Sequence, residues 1–207
     1  MTHEQRWRAC WQGLGLAEPP AGVLADLRAR YAEPHRHYHS LQHLDECLAL
    51  LDGLRDQAER PCEVELALYY HDAVYVPSRP DNEAQSAELC ATQLRAMRAP
   101  PDLIVRLTGL IMDTRHAASP IGRDAQLLVD IDLAILGAPR ARFEEYEMQI
   151  GREYAAVPDA LFRHGRAAVL KEFLARPAIY CTPIMRERLE AGARDNLRQA
   201  LIGLGVG

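Results

Sequence analysis

Two histidines and two aspartates sit in this chain where ordinary packing does not account for them. His43 falls inside the apolar arc of a helix predicted over Leu41 to Leu54, whose core positions are Leu41, Leu44, Leu48 and Leu51. His71 and Asp72 follow the apolar run Leu66-Ala67-Leu68-Tyr69-Tyr70, which reads as a helix entered through Pro61. Asp132 has Leu128, Val129, Ile135 and Leu136 as its neighbours three and four residues away, in a segment that is apolar nearly all round. A carboxylate on such a face must be neutralised, paired or bound to metal. Singly, each residue has a plain alternative. His43 could be a core histidine bonded to a carbonyl, His71 a helix-end histidine favoured by the dipole, and Asp132 the partner of a buried arginine. Together, two neutral imidazoles and two carboxylates balance the charge of one divalent cation.

Nitrogen and oxygen ligands without thiolate suit Mn, Fe, Ni, Co, Zn or Mg. Four ligands on an octahedral ion leave positions for water and substrate, as a catalytic site requires. Water bound to such an ion has its pKa lowered from about 15.7 toward about 7. The expectation is one divalent ion held by His43, His71, Asp72 and Asp132.

The elements that must position these residues are all helical. No alternating strand pattern and no internal repeat is present. Helical periodicity recurs between proline and glycine breaks. It predicts helices over Gln5 to Gly13, Val23 to Tyr31, Leu41 to Leu54 (capped by Ser40), Pro61 to His71 and Asn82 to Met97. Further helices are predicted over Pro101 to Asp113, Asp124 to Leu136 (with Gly137 as C-cap), Arg142 to Val157, Ala160 to Arg176 and Ile184 to Leu201. Asp130 points away from Asp132 and reads as support for its neighbour. The expectation is a single all-α domain over 1–207, with a metal core at about 36–137 and helices of 142–202 packing on it.

With 207 residues, 48% of them hydrophobic, the chain can build a real core. Its formal charge of −5 and lack of a basic cluster argue against binding a nucleic-acid polymer. No apolar run approaches the roughly 18 residues of a membrane helix, and the first residues show no signal core. Five scattered cysteines without a C-x-x-C fit neither a disulfide framework nor a cysteine zinc site, so the expected setting is a reducing cytoplasm. There is no P-loop. His39-x-x-x-His43 has zinc-protease spacing, but Ser40 stands where the catalytic Glu belongs, and His35-Arg36-His37 lacks the strands of a barrel hydrolase.

The order His43, His71-Asp72, Asp132 on helices resembles the HD superfamily of metal-dependent phosphohydrolases. Arg36-x-Tyr38-His39-x-x-x-His43, His71-Asp72-Ala73-Val74-Tyr75 and Asn82-Glu83-x-x-Ser86-Ala87 resemble a bacterial subfamily of predicted HD phosphohydrolases. Thr114-x-His116, Asp130-x-Asp132-Leu133-Ala134-x-Leu136-Gly137 and Arg152-Glu153-Tyr154 extend the likeness over most of the chain. The resemblance implies an HD-type helical bundle that hydrolyses a phosphate ester or anhydride on a nucleotide or other small phosphorylated metabolite. In that reading Glu83 orients or deprotonates the water, with Asp72 beside it in the catalytic set, and Arg36, His39, His116 and Arg152 meet the substrate. The plain alternatives are Glu83 serving its helix dipole, Arg36 bonding a loop carbonyl and Arg152-Glu153 forming surface ion pairs. Two departures stand out. Subfamily members read Ile-Arg-x-Glu-Tyr where this chain has Ile150-Gly151-Arg152-Glu153-Tyr154, and dinuclear members add two histidines where this chain has only His116. A non-catalytic metal or nucleotide sensor is the alternative function. A di-iron oxygenase is a third, disfavoured by the missing histidine.

Overall fold

Proline and glycine punctuation recurs as helix boundaries in the structure, a computed structural model that describes residues 1–77 and 79–205. Ten α-helices and two short 3₁₀ segments follow one another, with no strand among the described residues. The helices are α1 (His3–Gly13), α2 (Gly22–Tyr31), α3 (Leu41–Asp52), α4 (Pro61–Tyr70), α5 (Asn82–Ala96), α6 (Pro101–Asp113), α7 (Arg123–Asp132), α8 (Arg140–Glu153), α9 (Asp159–Ala175) and α10 (Pro183–Gly203). The fold is therefore all-α, as expected. Two compact units arise, Met1–Leu128 and Val129–Gly207, and the boundary falls within α7. No helix among the described residues is long and apolar enough to cross a membrane.

In the first unit, α4 is the central element. Helices α1, α3, α5 and α6 all pack on it. Val64, Leu66, Ala67, Leu68 and Tyr69 are fully buried, so no face of α4 is left to solvent over those turns. Trp7 of α1 meets Tyr69 edge-on at 5.0 Å and Trp11 at 5.5 Å. The enclosure also takes in two carboxylates that the sequence reading passed over. Glu65 pairs with Arg6 and Arg55, and Glu63 receives both arms of Arg106 at 2.8 Å. A helix buried on every side must carry partners for its polar residues, because an unpaired buried charge costs several kcal/mol. Asp124 of α7 caps the start of α4 by accepting from the backbone N–H groups of Glu59 and Arg60, at 2.7 and 3.0 Å.

Several local expectations are corrected. Helix α1 begins earlier than predicted, at His3, because Thr2 and Gln5 form a reciprocal capping box. Ser40 has the extended backbone of an N-cap but makes no capping bond with its side chain. Helix α7 stops at Asp132 instead of reaching Leu136, and the chain tightens into a 3₁₀ segment over Leu133–Gly137. The second unit explains this. The carbonyl of Leu133 accepts from the Tyr180 hydroxyl at 3.2 Å, and those of Leu136 and Ala138 both accept from Asn196 at 2.9 Å. Gly137 is not a left-handed cap. It is where α10 comes closest: a Cβ there would stand 2.7 Å from Leu189 Cβ and 2.8 Å from its carbonyl oxygen. Backbone atoms cannot give way as a flexible side chain can. Gly137→Ala should therefore cost about 1–3 kcal/mol of stability in chemical denaturation, the scale of an overpacked core; a neutral effect would show that the approach relaxes freely.

Candidate metal centre

His71 and Asp72 occupy the turn that ends α4. The His71 N–H still closes a helical bond to Ala67 O at 2.8 Å, and the Ala73 N–H bonds Tyr70 O at 2.9 Å. The loop beyond is pinned from three sides. Ser86 of α5 bonds both the N–H (3.0 Å) and the carbonyl (3.3 Å) of Val74. Asn82, the first residue of α5, bonds the N–H (3.0 Å) and carbonyl (2.9 Å) of Val76. Arg36, almost fully buried, donates to the carbonyls of Asp72, Ala73 and His39 and pairs with Glu33 at 2.9 Å. Its guanidinium also lies over the rings of Tyr31 and Tyr75, at 5.4 and 5.7 Å. Asp72 is thus held by backbone clamps before its carboxylate does anything.

Three potential ligand atoms then meet within the first unit. His43 Nε2 and His71 Nε2 are 3.1 Å apart, and Asp72 Oδ2 lies 3.1 Å from the latter and 3.6 Å from the former. These edges match those between adjacent ligands of one ion bound at about 2.0–2.2 Å. The protonation pattern points the same way. His71 Nδ1 is 2.8 Å from the Leu68 carbonyl, which can only accept, so Nδ1 carries the hydrogen. In neutral His71 the Nε2 lone pair then faces Asp72 Oδ2, a buried oxygen with no hydrogen-bond partner. Two lone pairs at 3.1 Å repel; a proton on Nε2 of His71 or His43, or a shared cation, relieves them. Burial alone would raise the Asp72 carboxyl, but the positive charge of His71, His39 and His43 outweighs it and holds the group well below the usual carboxylate range. Bonding of the other ring nitrogen to a backbone carbonyl is the common arrangement of a metal-bound histidine.

Asp132 closes α7. With His43 and His71 it makes up a His/His/Asp group that could hold one metal ion. Its hydrophobic neighbours Leu128, Val129, Ile135 and Leu136 are buried as the sequence suggested, although Asp132 itself is only half-buried. Asp130, two residues earlier, is wholly buried and satisfied. It accepts from the Cys181 N–H (2.6 Å), the Thr182 N–H (2.7 Å) and the Thr182 hydroxyl (2.6 Å), which fastens α7 to the start of α10.

The other residues singled out in the sequence occupy varied settings. His39 stacks on Tyr75 with ring centres 3.9 Å apart, and its ring lies 6.2 Å from that of His43. Glu83, in the first turn of α5, makes no hydrogen bond or ion pair among the described residues. His116 lies in the turn after α6 with φ of 55°, a left-handed conformation that histidine tolerates better than most residues. Arg152 is exposed in the last turn of α8 and forms no ion pair among the described residues. Four more groups stand near the centre, of which the sequence motifs named Tyr38 and Tyr75 without a role and left out the Leu68 carbonyl and Cys47. The Leu68 carbonyl is one turn before His71, and Cys47 Sγ sits 3.7 Å from His43 Nδ1 at the i+4 position of the same helix. Tyr38 lies 4.7 Å from the His43 ring, and Tyr75 carries the His39 stack. Helical spacing alone would have flagged Leu68 and Cys47.

A metal would displace whatever proton is held between His43, His71 and Asp72 in its absence, so its binding should release protons. Its affinity should fall about tenfold per pH unit for each proton displaced. Calorimetric titration of zinc or manganese in buffers of different ionisation enthalpy measures this; pH-independent binding would place the ion elsewhere. Comparison with protein families, curated proteins and solved structures returns no match for this chain. Its all-helical fold and His/His/Asp group are compatible with an HD-type fold.

Proposed function

We propose that the protein is a metal-dependent hydrolase of a phosphate ester or anhydride, acting on a nucleotide or another small phosphorylated metabolite. The observation that carries this reading is the triangle of His43 Nε2, His71 Nε2 and Asp72 Oδ2, with edges of 3.1, 3.1 and 3.6 Å and a lone pair set against a buried carboxylate. His43, His71, Asp72 and Asp132 would hold one divalent ion, whose identity lies among Mn, Fe, Ni, Co, Zn and Mg. Such an ion supplies a water of lowered pKa and polarises a phosphoryl oxygen.

The chain's own residues have the following parts. The Leu68 carbonyl fixes the His71 ring with its hydrogen on Nδ1 and Nε2 toward the ion, and Arg36 fixes the backbone that carries Asp72, so neither side chain must turn on binding. Glu83, a carboxylate with no other partner among the described residues, is the group to orient the water and take its proton. His39, His116 and Arg152 are the candidate donors to the non-bridging oxygens, where charge builds in phosphoryl transfer. Arg36 reaches the substrate at most through its one remaining N–H, since its other donors bond Glu33 and the carbonyls of His39, Asp72 and Ala73.

Phosphate release from a panel of nucleotides and sugar phosphates, across added metals, tests the proposal on untagged protein. Turnover with at least one metal is expected. Asp132→Ala should lose metal and activity together while leaving the metal-free fold at least as stable, because it removes a carboxylate from an apolar surround. Glu83→Gln should keep its metal and lose roughly 10²-fold in kcat/KM. One ion bound with no turnover on any phosphate would instead favour a non-catalytic binding domain, and oxygen uptake by iron-loaded protein would favour an oxygenase.

A further inference from the structure

The first unit holds a second chemically distinctive cluster, at the opposite end of α4 from His71. Cys62 is the second residue of α4, about 15 Å along the helix from the metal candidate. It is half-exposed and lines an open cleft of about 510 Å³ with Arg60, Pro100 and Arg106. Cys10, fully buried in α1, donates from its sulfur to the Cys62 carbonyl oxygen at 3.2 Å, which sets the two cysteines side by side. Arg55 places a guanidinium nitrogen 3.8 Å from the Cys62 sulfur. Gly13 completes the enclosure, because any Cβ there would collide with that sulfur. The groups nearest Cys62 are therefore a second thiol, the Arg55 cation and a glycine that leaves it room, with Glu65 behind Arg55; the cleft beyond also carries Glu59, Glu63 and Asp102 against Arg60 and Arg106.

We infer that Cys62 is a site of oxidation by hydroperoxides and that Cys10 is its resolving thiol, the two forming a disulfide between α1 and α4. In the first step the Cys62 thiolate attacks a peroxide oxygen. An S–O bond forms, the O–O bond breaks, and hydroxide (or alkoxide) leaves with the electron pair. In the second step the Cys10 sulfur attacks the Cys62 sulfenic acid, the S–S bond forms, the S–O bond breaks, and water leaves with the Cys10 proton. The two thiols lose two electrons in all and the peroxide gains them; an external dithiol reverses the change. The electrostatics favour Cys62 as the attacking partner. The Cys10 thiol beside it and the Arg55 charge outweigh its burial and bring it down to about 7, whereas the Cys62 contact and burial push Cys10 well up. Cys181, equally half-exposed, is the natural control, since burial and the Asp130 carboxylate raise it.

The test is hydrogen peroxide at near-stoichiometric amounts on the full chain, followed by non-reducing peptide mapping. Wild type should lose about 2 Da and yield a Cys10–Cys62 linked peptide. Cys10→Ser should accumulate a sulfenic acid on Cys62 that dimedone traps, and Cys62→Ser should do neither. Since Cys10 is buried and its variant could unfold, a measurement on wild type stands beside it. Iodoacetamide at pH 7 should label Cys62 about fivefold or more faster than Cys181, after allowing for the lower nucleophilicity of a more acidic thiol. Equal labelling of the two, or oxidation that spares Cys62 in folded wild type, would overturn the inference.

Discussion

The contact between the His71 imidazole and the Asp72 carboxylate, 3.1 Å apart, is the constraint around which the rest of this structure is arranged. Adjacent residues in an extended chain would point apart. Here α4 ends between Tyr70 and His71, and the turn brings both side chains to the same side. The Leu68 carbonyl then removes the freedom of the imidazole to rotate or change tautomer. Arg36 and Ser86 remove the freedom of the backbone that follows. What remains is a lone pair and a carboxylate held together by groups with no other reason to be so placed. A structural histidine would have been satisfied by one carbonyl; the second interaction needs a positive charge to be favourable.

Asp130 and Asp132 give the contrast that separates structural from chemical carboxylates. Both lie on one helix among apolar residues, and the sequence already separates them by face, with Asp130 pointing away from Asp132. Asp130 meets three donors from the start of α10, and those bonds compensate its burial. Asp132 instead ends α7 where the chain tightens, only half-buried, and is one of the carboxylates that could hold a metal ion. Glu63 and Glu65 resemble Asp130: buried carboxylates whose arginines come from distant segments. Such pairs are costly to break and add little over apolar packing, so they report the centrality of α4 and not a function.

The helices were legible because proline and glycine stop signals are local, and each predicted helix is present, with α7 and α8 each ending four residues before the predicted Leu136 and Val157. The end of α7 was not legible, since it depends on Tyr180 and Asn196, more than forty residues later. His43 stood out because a polar residue inside an apolar arc is visible in the periodicity of α3, and Asp132 stood out for the same reason. The plain alternative for Arg36, a bond to a loop carbonyl, is the one present, but which carbonyls it holds was not legible. Two of them lie 36 and 37 residues away, and carbonyls leave no mark in a sequence. The pairing of Glu65 with Arg6 was hidden in the same way, across a separation of 59 residues.

X-ray absorption spectroscopy at the metal edge, on untagged protein loaded with zinc or manganese, tests the central claim most directly. The account predicts a first shell of nitrogen and oxygen alone at about 2.0–2.2 Å, with the multiple-scattering pattern of two imidazoles. A sulfur contribution near about 2.3 Å, which would make Cys47 the ligand instead, or a shell without imidazole, would contradict it.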